Sequence, residues 1–279
     1  MQTVTSPEAL RAQIRAWRHN GQTIAFVPTM GNLHQGHIKL VEAAHQQADR
    51  VVVSVFVNPT QFGPHEDFEH YPRTTAEDSQ KLQDCHTDLL FLPDTCTIYP
   101  QPSMTQIMLP ELANRLCGLQ RPGHFDGVAL VVCKLLNLVQ PDKLVMGEKD
   151  FQQLAIIRRM VEDLNIPVQV IGVATVRETD GLAMSSRNGY LSTEQRQLAP
   201  ALYQSLLAVR DAILTGTNSD TIVMEQQQHL AQQGVQTDYL TLCRRSDLHP
   251  ATPSDKQLII LIAARLGTTR LIDNLTFDR

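Results

Sequence analysis

The chain has 279 residues, 42% of them hydrophobic and 19% charged, with a formal net charge of -5 and a pI near 6.0. That composition carries enough apolar material for a core and too little charge for a disordered chain. The length suits one large domain or two unequal ones, and the acidic balance offers no basic face for nucleic acid.

The first residues lack the basic start and apolar run of a signal peptide. No apolar window reaches membrane-spanning length. The five cysteines, Cys85, Cys96, Cys117, Cys133 and Cys243, form no C-x-x-C pair and are odd in number. This argues against a disulfide framework or a zinc site. The expectation is a cytoplasmic, soluble protein that binds neither nucleic acid nor membrane.

Residues 23–27 form a short apolar run, and a turn-rich stretch follows before a helical pattern at Ile38, Leu40, Val41, Ala44 and Ala48. Residues 50–57, β-branched with almost no alternation, predict a strand buried on both faces. A helix over 74–84, a strand over 88–92 and a helix over 127–139 follow. Next come a strand over 143–146, a helix over 151–164 and a strand over 168–176. Alternating strands and helices predict a doubly wound parallel α/β sheet. Beyond it, residues 191–212 read as one helix capped by Ser192 with Gln195, and 222–233 as another. Strands over 237–243, 257–265 and 269–275 complete a smaller C-terminal α+β domain. The expected domains are 1–177, a ligand-binding domain built on the parallel sheet, and 178–279, acting as a lid.

Four places could carry chemistry. Residues 28–37, Pro-Thr-Met-Gly-Asn-Leu-His-Gln-Gly-His, link a strand to a helix. In an open α/β sheet, ligands sit beyond the carboxyl ends of strands, and a helix start offers N–H groups to phosphate. His34 and His37 lie three apart and can donate ring N–H groups there. A capped helix with incidental histidines is the plain alternative; the preceding strand and flanking Gly31 and Gly36 favour phosphate.

The second place is Gly147-Glu148-Lys149-Asp150, again at the end of a strand. Lys149 is one of only six lysines. It could neutralise a phosphoryl group or simply pair with its acidic neighbours, and the residues leave that open. The third is Met184-Ser185-Ser186-Arg187, a compact phosphate clamp that alone also reads as a Ser-rich turn. The fourth is the pair Gln61 and Gln153, since glutamine both donates and accepts and can read a hydroxy acid. Val128, Val131, Val132 and Leu135 form one helical stripe, read by itself as a core face. The histidines at 19, 45, 65, 70, 86, 229 and 249 fall in no ligand arrangement, and no metal-binding pattern occurs.

The segment 28–37 resembles the HIGH-type signature of the nucleotidyltransferase superfamily. Five segments in order narrow this: 28–37; 57–62, Val-Asn-Pro-Thr-Gln-Phe; 121–127, Arg-Pro-Gly-His-Phe-Asp-Gly; 147–153, Gly-Glu-Lys-Asp-Phe-Gln-Gln; and 184–188, Met-Ser-Ser-Arg-Asn. Together they closely resemble the pantothenate synthetase (pantoate–β-alanine ligase) family, most strongly over 21–191. Arg187 stands where the wider superfamily has a lysine; the resembled family also uses arginine there.

The resemblance implies a Rossmann-like fold and ATP-dependent condensation of (R)-pantoate with β-alanine through a pantoyl-adenylate, releasing AMP and pyrophosphate. It implies catalytic roles for His34, His37, Lys149, Ser185, Ser186 and Arg187. ATP would be bound by these and by Met30, Gly31, Gly147, Asp150, Val176 and Met184. Gln61, Gln153, Pro28, Phe56, Val131 and Val132 would bind pantoate, and Gln61 also β-alanine. Arg121 and His124 are expected to flank that pocket. Magnesium would arrive with ATP, held by phosphates and water; no metal site of the protein's own is expected. The family also implies a homodimer. The alternatives are a nucleotidyltransferase of the same superfamily and a non-catalytic, synthetase-derived RNA-binding protein.

Overall fold

A computed structural model describes residues 1–64, 66–101 and 104–279. His65, set aside above with the other histidines, lies outside the described residues. The chain forms two compact units: Met1–Glu148 with Gln153–Ala174, and Lys149–Gln152 with Thr175–Arg279.

The first unit holds six parallel strands: β1 (Gln2–Val4), β2 (Ile24–Thr29), β3 (Arg50–Val55), β4 (Leu89–Phe91), β5 (Lys143–Gly147) and β6 (Gln169–Val173). Their order is β1-β4-β3-β2-β5-β6. From β2 the chain steps outward through β3 to β4, then returns to β5 on the other side of β2 and on to β6. The reversal therefore falls between β2 and β5, whose register pairs Ala25 with Lys143 and Phe26 with Leu144. Such a reversal opens a crevice at the carboxyl ends of the two strands. Both phosphate candidates of the sequence, 28–37 and 147–150, leave from those ends.

The crossovers are α1 (Pro7–His19), α2 (Gln35–His45), α3 (Thr75–Asp84), α7 (His124–Val139) and α8 (Phe151–Asp163), with short helices α4 (Thr95–Ile98), α5 (Pro110–Ala113) and α6 (Cys117–Gln120) between. Right-handed crossovers put α2 and α3 on one face and α1, α7 and α8 on the other. On the first face Leu40, Val41, Ala44 and Leu82 pack with Ala25, Val27, Val51, Val53 and Leu90 of the strands. β3 is buried on both faces, as its valine-rich run with almost no alternation requires.

β1 and α1 are not among the expected elements. α1 is nonetheless written locally. Ser6 accepts the Ala9 N–H at 3.3 Å, Pro7 opens the helix, and Leu10, Ile14 and Trp17 are its buried face.

In the second unit β7 (Gln236–Arg244), β8 (Gln257–Leu266) and β9 (Thr269–Asp278) form an antiparallel sheet in that order. α10 (Ala201–Leu214) and α11 (Ser219–Gln232) pack on it. Leu202, Leu206, Val209 and Ile213 of α10 are buried there; each contributes about 1.5–3 kcal/mol of apolar transfer. The single helix expected over 191–212 is two, α9 (Thr193–Leu198) and α10. Pro200, the cap of α10, has no N–H to continue the ladder. The capping box at α9 forms as expected: Ser192 Oγ accepts the Gln195 N–H and Gln195 Oε1 accepts the Ser192 N–H.

Candidate active site

β2 ends at Thr29, whose hydroxyl donates to the Ser54 carbonyl at 2.8 Å and accepts the Gly31 N–H at 3.3 Å. The chain then turns with φ of +85° at Gly31 and +49° at Asn32. A Cβ on Gly31 would also crowd Asp78 Oδ2 and Val55 Cγ1 at 3.1 Å, so glycine serves both the turn and the packing. α3 holds this turn from outside. Asp78, 1% exposed, accepts the Asn32 N–H at 2.8 Å and the Leu33 N–H at 2.7 Å. Lys81 Nζ donates to the Leu33 carbonyl at 2.8 Å.

His34 is the N-cap of α2 and His37 its third residue. His34 Nδ1 accepts the Gly36 N–H at 3.1 Å, and His37 Nδ1 accepts the His34 N–H at 3.2 Å. Each Nδ1 is thus an acceptor, which assigns the proton of both neutral rings to Nε2. The rings sit 4.1 Å apart, centroid to centroid. The two histidines therefore cap the helix with one nitrogen and keep the other as the N–H donor.

Gln61 lies in a 3₁₀ turn, Pro59–Gln61, capped by Asn58. Asn58 is 1% exposed and its amide orientation follows from its partners. Nδ2 donates to the Gly127 carbonyl at 3.2 Å and to Gln61 Oε1 at 3.0 Å. Oδ1 accepts the Tyr99 hydroxyl at 2.9 Å and the Thr60 hydroxyl at 3.0 Å. Burial pushes the Tyr99 phenol up, so it stays a donor. Gln61 Nε2 is thereby turned toward Met30, 3.2 Å from its sulfur. α7 meets this turn backbone to backbone: a Cβ on Gly127 would fall 2.2 Å from the Thr60 carbonyl oxygen. Phe56, Val131 and Val132 are buried, and Pro28 lies within β2. Gln153 stands, half-buried, in the first turn of α8.

Arg121 and His124 secure the same turn. His124 Nδ1 donates to the Gln61 carbonyl at 2.7 Å, leaving Nε2 to accept from Arg121 Nη1 at 3.0 Å. Arg121 also makes a two-pronged pair with Glu66, at 2.5 and 2.7 Å. Burial alone would raise the Glu66 carboxyl, but the bonds and charge of Arg121 hold it below its usual range. A depressed carboxyl contributes stability above its unfolded value, about 4.3, and loses it as pH falls through the folded value. Glu66→Gln should therefore flatten the loss of stability between about pH 5 and 3. Urea unfolding at both pH values checks this, and parallel acid profiles for the two proteins would contradict it.

In the second unit Lys149 and Asp150 follow the carboxyl end of β5. Lys149 Nζ stands 3.7 Å from the Asp150 carboxylate, with 19% of its side chain exposed; this is an ion pair without a hydrogen bond. The Lys149 carbonyl accepts from Asn274 Nδ2 at 2.8 Å. Val176 and Met184 lie on the two arms of a hairpin, joined by the Met184 N–H to the Val176 carbonyl at 2.9 Å. Ser185 leaves this hairpin and caps the 3₁₀ turn Ser186–Tyr190, its Oγ accepting the Arg187 N–H at 3.3 Å. The Ser-Ser-Arg run is thus a structured turn whose first hydroxyl is engaged as an acceptor and keeps its proton to donate. Among the described residues no group of three or more His, Cys, Asp or Glu side chains is arranged to hold a metal ion.

A family model described as pantoate-beta-alanine ligase matches residues 2–276. The chain belongs to the pantoate–β-alanine ligase family. It is 52% identical to the pantothenate synthetase of Shewanella denitrificans, with 100% of both chains covered. It is 53% identical to that of Pseudomonas fluorescens, covering 100% of this chain and 98% of the relative. Among solved structures it is similar to the pantothenate synthetase of Thermus thermophilus: TM-score 0.93, 45% identity, 99% of each chain covered. It is also similar to the pantoate–β-alanine ligase of Francisella tularensis, solved in complex with beta-gamma ATP and β-alanine. There the TM-score is 0.84 and the identity 34%, over 99% of this chain and 97% of that one. The Rossmann-like sheet with a smaller C-terminal α+β region is that of these ligases.

Within this family member, the sequence motifs name the residues at the strand ends but not those that hold them. Asn58 stands inside a quoted motif, and its Asn-Pro step is a turn signal. Asp78, Lys81, Tyr99, Glu66 and Asn274 stand in none. Each acts across a long separation in the chain, where no local pattern marks it.

Proposed function

We infer that this chain joins pantoate to β-alanine with ATP, through a pantoyl-adenylate, releasing AMP and pyrophosphate. The observation that carries the reading is a family match over residues 2–276, supported by a parallel sheet whose strand order reverses between β2 and β5. The pantoate carboxylate is already a nucleophile, so its attack on the α-phosphorus needs no strong base. The protein has to align the reactants and stabilise growing negative charge. We assign that task to the Nε2–H groups of His34 and His37, to Lys149, and to Ser185, Ser186 and Arg187. Met30, Gly31, Gly147, Asp150, Val176 and Met184 complete the ATP contacts. In the second step the neutral amine of β-alanine attacks the adenylate carbonyl and expels AMP.

Gln61, oriented by Asn58, offers donors to both pantoate and β-alanine; Gln153, Pro28, Phe56, Val131 and Val132 complete the pantoate contacts. ATP enters as its magnesium complex. The ion would be held by phosphate oxygens and water. As the working form we propose a cytoplasmic homodimer, on the strength of the family resemblance. None of the five cysteines is in a disulfide, which suits a reducing compartment, and among the described residues no helix is long and apolar enough to cross a membrane.

The deciding experiment is pantoate-dependent exchange of labelled pyrophosphate into ATP, followed by β-alanine-dependent release of AMP. Exchange that ignores pantoate would sink the reading. Retention of the nucleotide on the product would move the chain among the nucleotidyltransferases. Gln153→Ala should raise the pantoate KM about tenfold or more with a smaller change in kcat. An unchanged KM would remove Gln153 from the pantoate contacts.

A further inference from the structure

Two adjacent residues of β9 hold both of the phosphate-handling segments of the second unit. Asp273, its side chain 3% exposed, receives Arg177 through two bonds, at 2.6 and 3.0 Å. The same guanidinium donates to the Gly181 and Asn274 carbonyls, each at 3.1 Å. It also lies 3.6 Å over the Tyr203 ring. Arg177 is therefore locked on every side, and it belongs to the hairpin from which Ser185 departs: Arg177 bridges Ala183, and its neighbour Val176 accepts from Met184.

Asn274, 5% exposed, faces the other side of the strand. Its register partner is Leu261, whereas that of Asp273 is Ile262. Its Nδ2 donates to the Lys149 carbonyl at 2.8 Å, and its own N–H donates to Asp273 Oδ1 at 2.7 Å. A chain of bonds thus runs from the Ser185 hairpin through Arg177 and Asp273 to Asn274 and the Lys149 turn. One strand sets the spacing of the two segments.

We propose that Asp273 and Asn274 are positioning residues that register Lys149 against the 185–187 turn for the ATP phosphates. This rests on the assignment of those segments to ATP. Both act through the groups they hold. Charge stabilisation of this kind depends on placement within about 0.5 Å, and a shift of about 1 Å can cost about 100-fold in rate. Burial pushes the Asp273 carboxyl up, and the bonds and charge of Arg177 offset part of that cost.

The test is a double-mutant cycle on pyrophosphate exchange. Asn274→Ala should lower the exchange rate about 10- to 100-fold, with the pantoate KM within about twofold of wild type and the melting temperature nearly kept. In a Lys149→Ala background the same change should cost less than about twofold, because the group it positions is gone. An equal cost in both backgrounds would overturn the proposal, as would an Asn274→Ala enzyme with near-normal exchange. If the alanine variant does not fold, Asn274→Asp removes the donor while keeping the shape, and the same outcomes apply. Normal exchange by Lys149→Ala alone would overturn the phosphate assignment and the proposal with it. Loss there with no effect at Asn274 overturns only the positioning role.

Discussion

Lys149→Ala is expected to cut pantoate-dependent pyrophosphate exchange by about 10²–10³-fold, or ~3–4 kcal/mol of transition-state stabilisation, while the protein remains folded. The side chain is 19% exposed and its ammonium is 3.7 Å from its acidic neighbour. An ion pair so placed adds little stability, so the loss should fall on the reaction alone. The split between steps is informative. Adenylate formation should bear the whole loss, and preformed pantoyl-adenylate should still react with β-alanine at close to the wild-type rate. A variant with near-normal exchange would remove Lys149 from the mechanism.

The second large effect is expected at Asp78. Asp78→Ala should destabilise the protein by ~2–5 kcal/mol, because it strips a charged acceptor from two backbone N–H groups, one of them fully buried. Those groups belong to Asn32 and Leu33, in the turn that delivers His34 to its capping position. Activity measured well below the melting temperature should therefore fall as well, chiefly as a raised ATP KM. Denaturant unfolding with ATP titration reads both. A stability within about 0.5 kcal/mol of wild type would show that the turn stands without its carboxylate.

These two residues also mark the limits of reading the chain as a string. Lys149 stands out because lysines are few and because it follows a buried apolar strand. The strands themselves are legible for the same reason: valine-rich runs such as 50–57, with almost no polar alternation, have only one comfortable home, covered on both faces. Asp78 is not legible. On α3 it is one of several polar residues in a helix of ordinary pattern, and its partners lie 45 and 46 positions away. Asn274 is further still, 125 positions from the carbonyl it holds.

The failures at 191–212 and at α1 differ in kind, since both carry local signals. Pro200 breaks a helical pattern that otherwise continues on both sides of it. Ser6, Pro7, Leu10, Ile14 and Trp17 spell a capped amphipathic helix absent from the expected elements.

The meeting of α7 with the Pro59–Gln61 turn has a practical consequence for altering which acids the enzyme accepts. At Gly127 the wall beside Gln61 is main chain on both sides, so there is no side chain to trim and no space to fill. Widening or narrowing the acid site cannot be done there. Under the pantoate contacts proposed above, redesign would work through Phe56, Val131 and Val132, whose side chains can be exchanged while the Asn58 bonds stay in place.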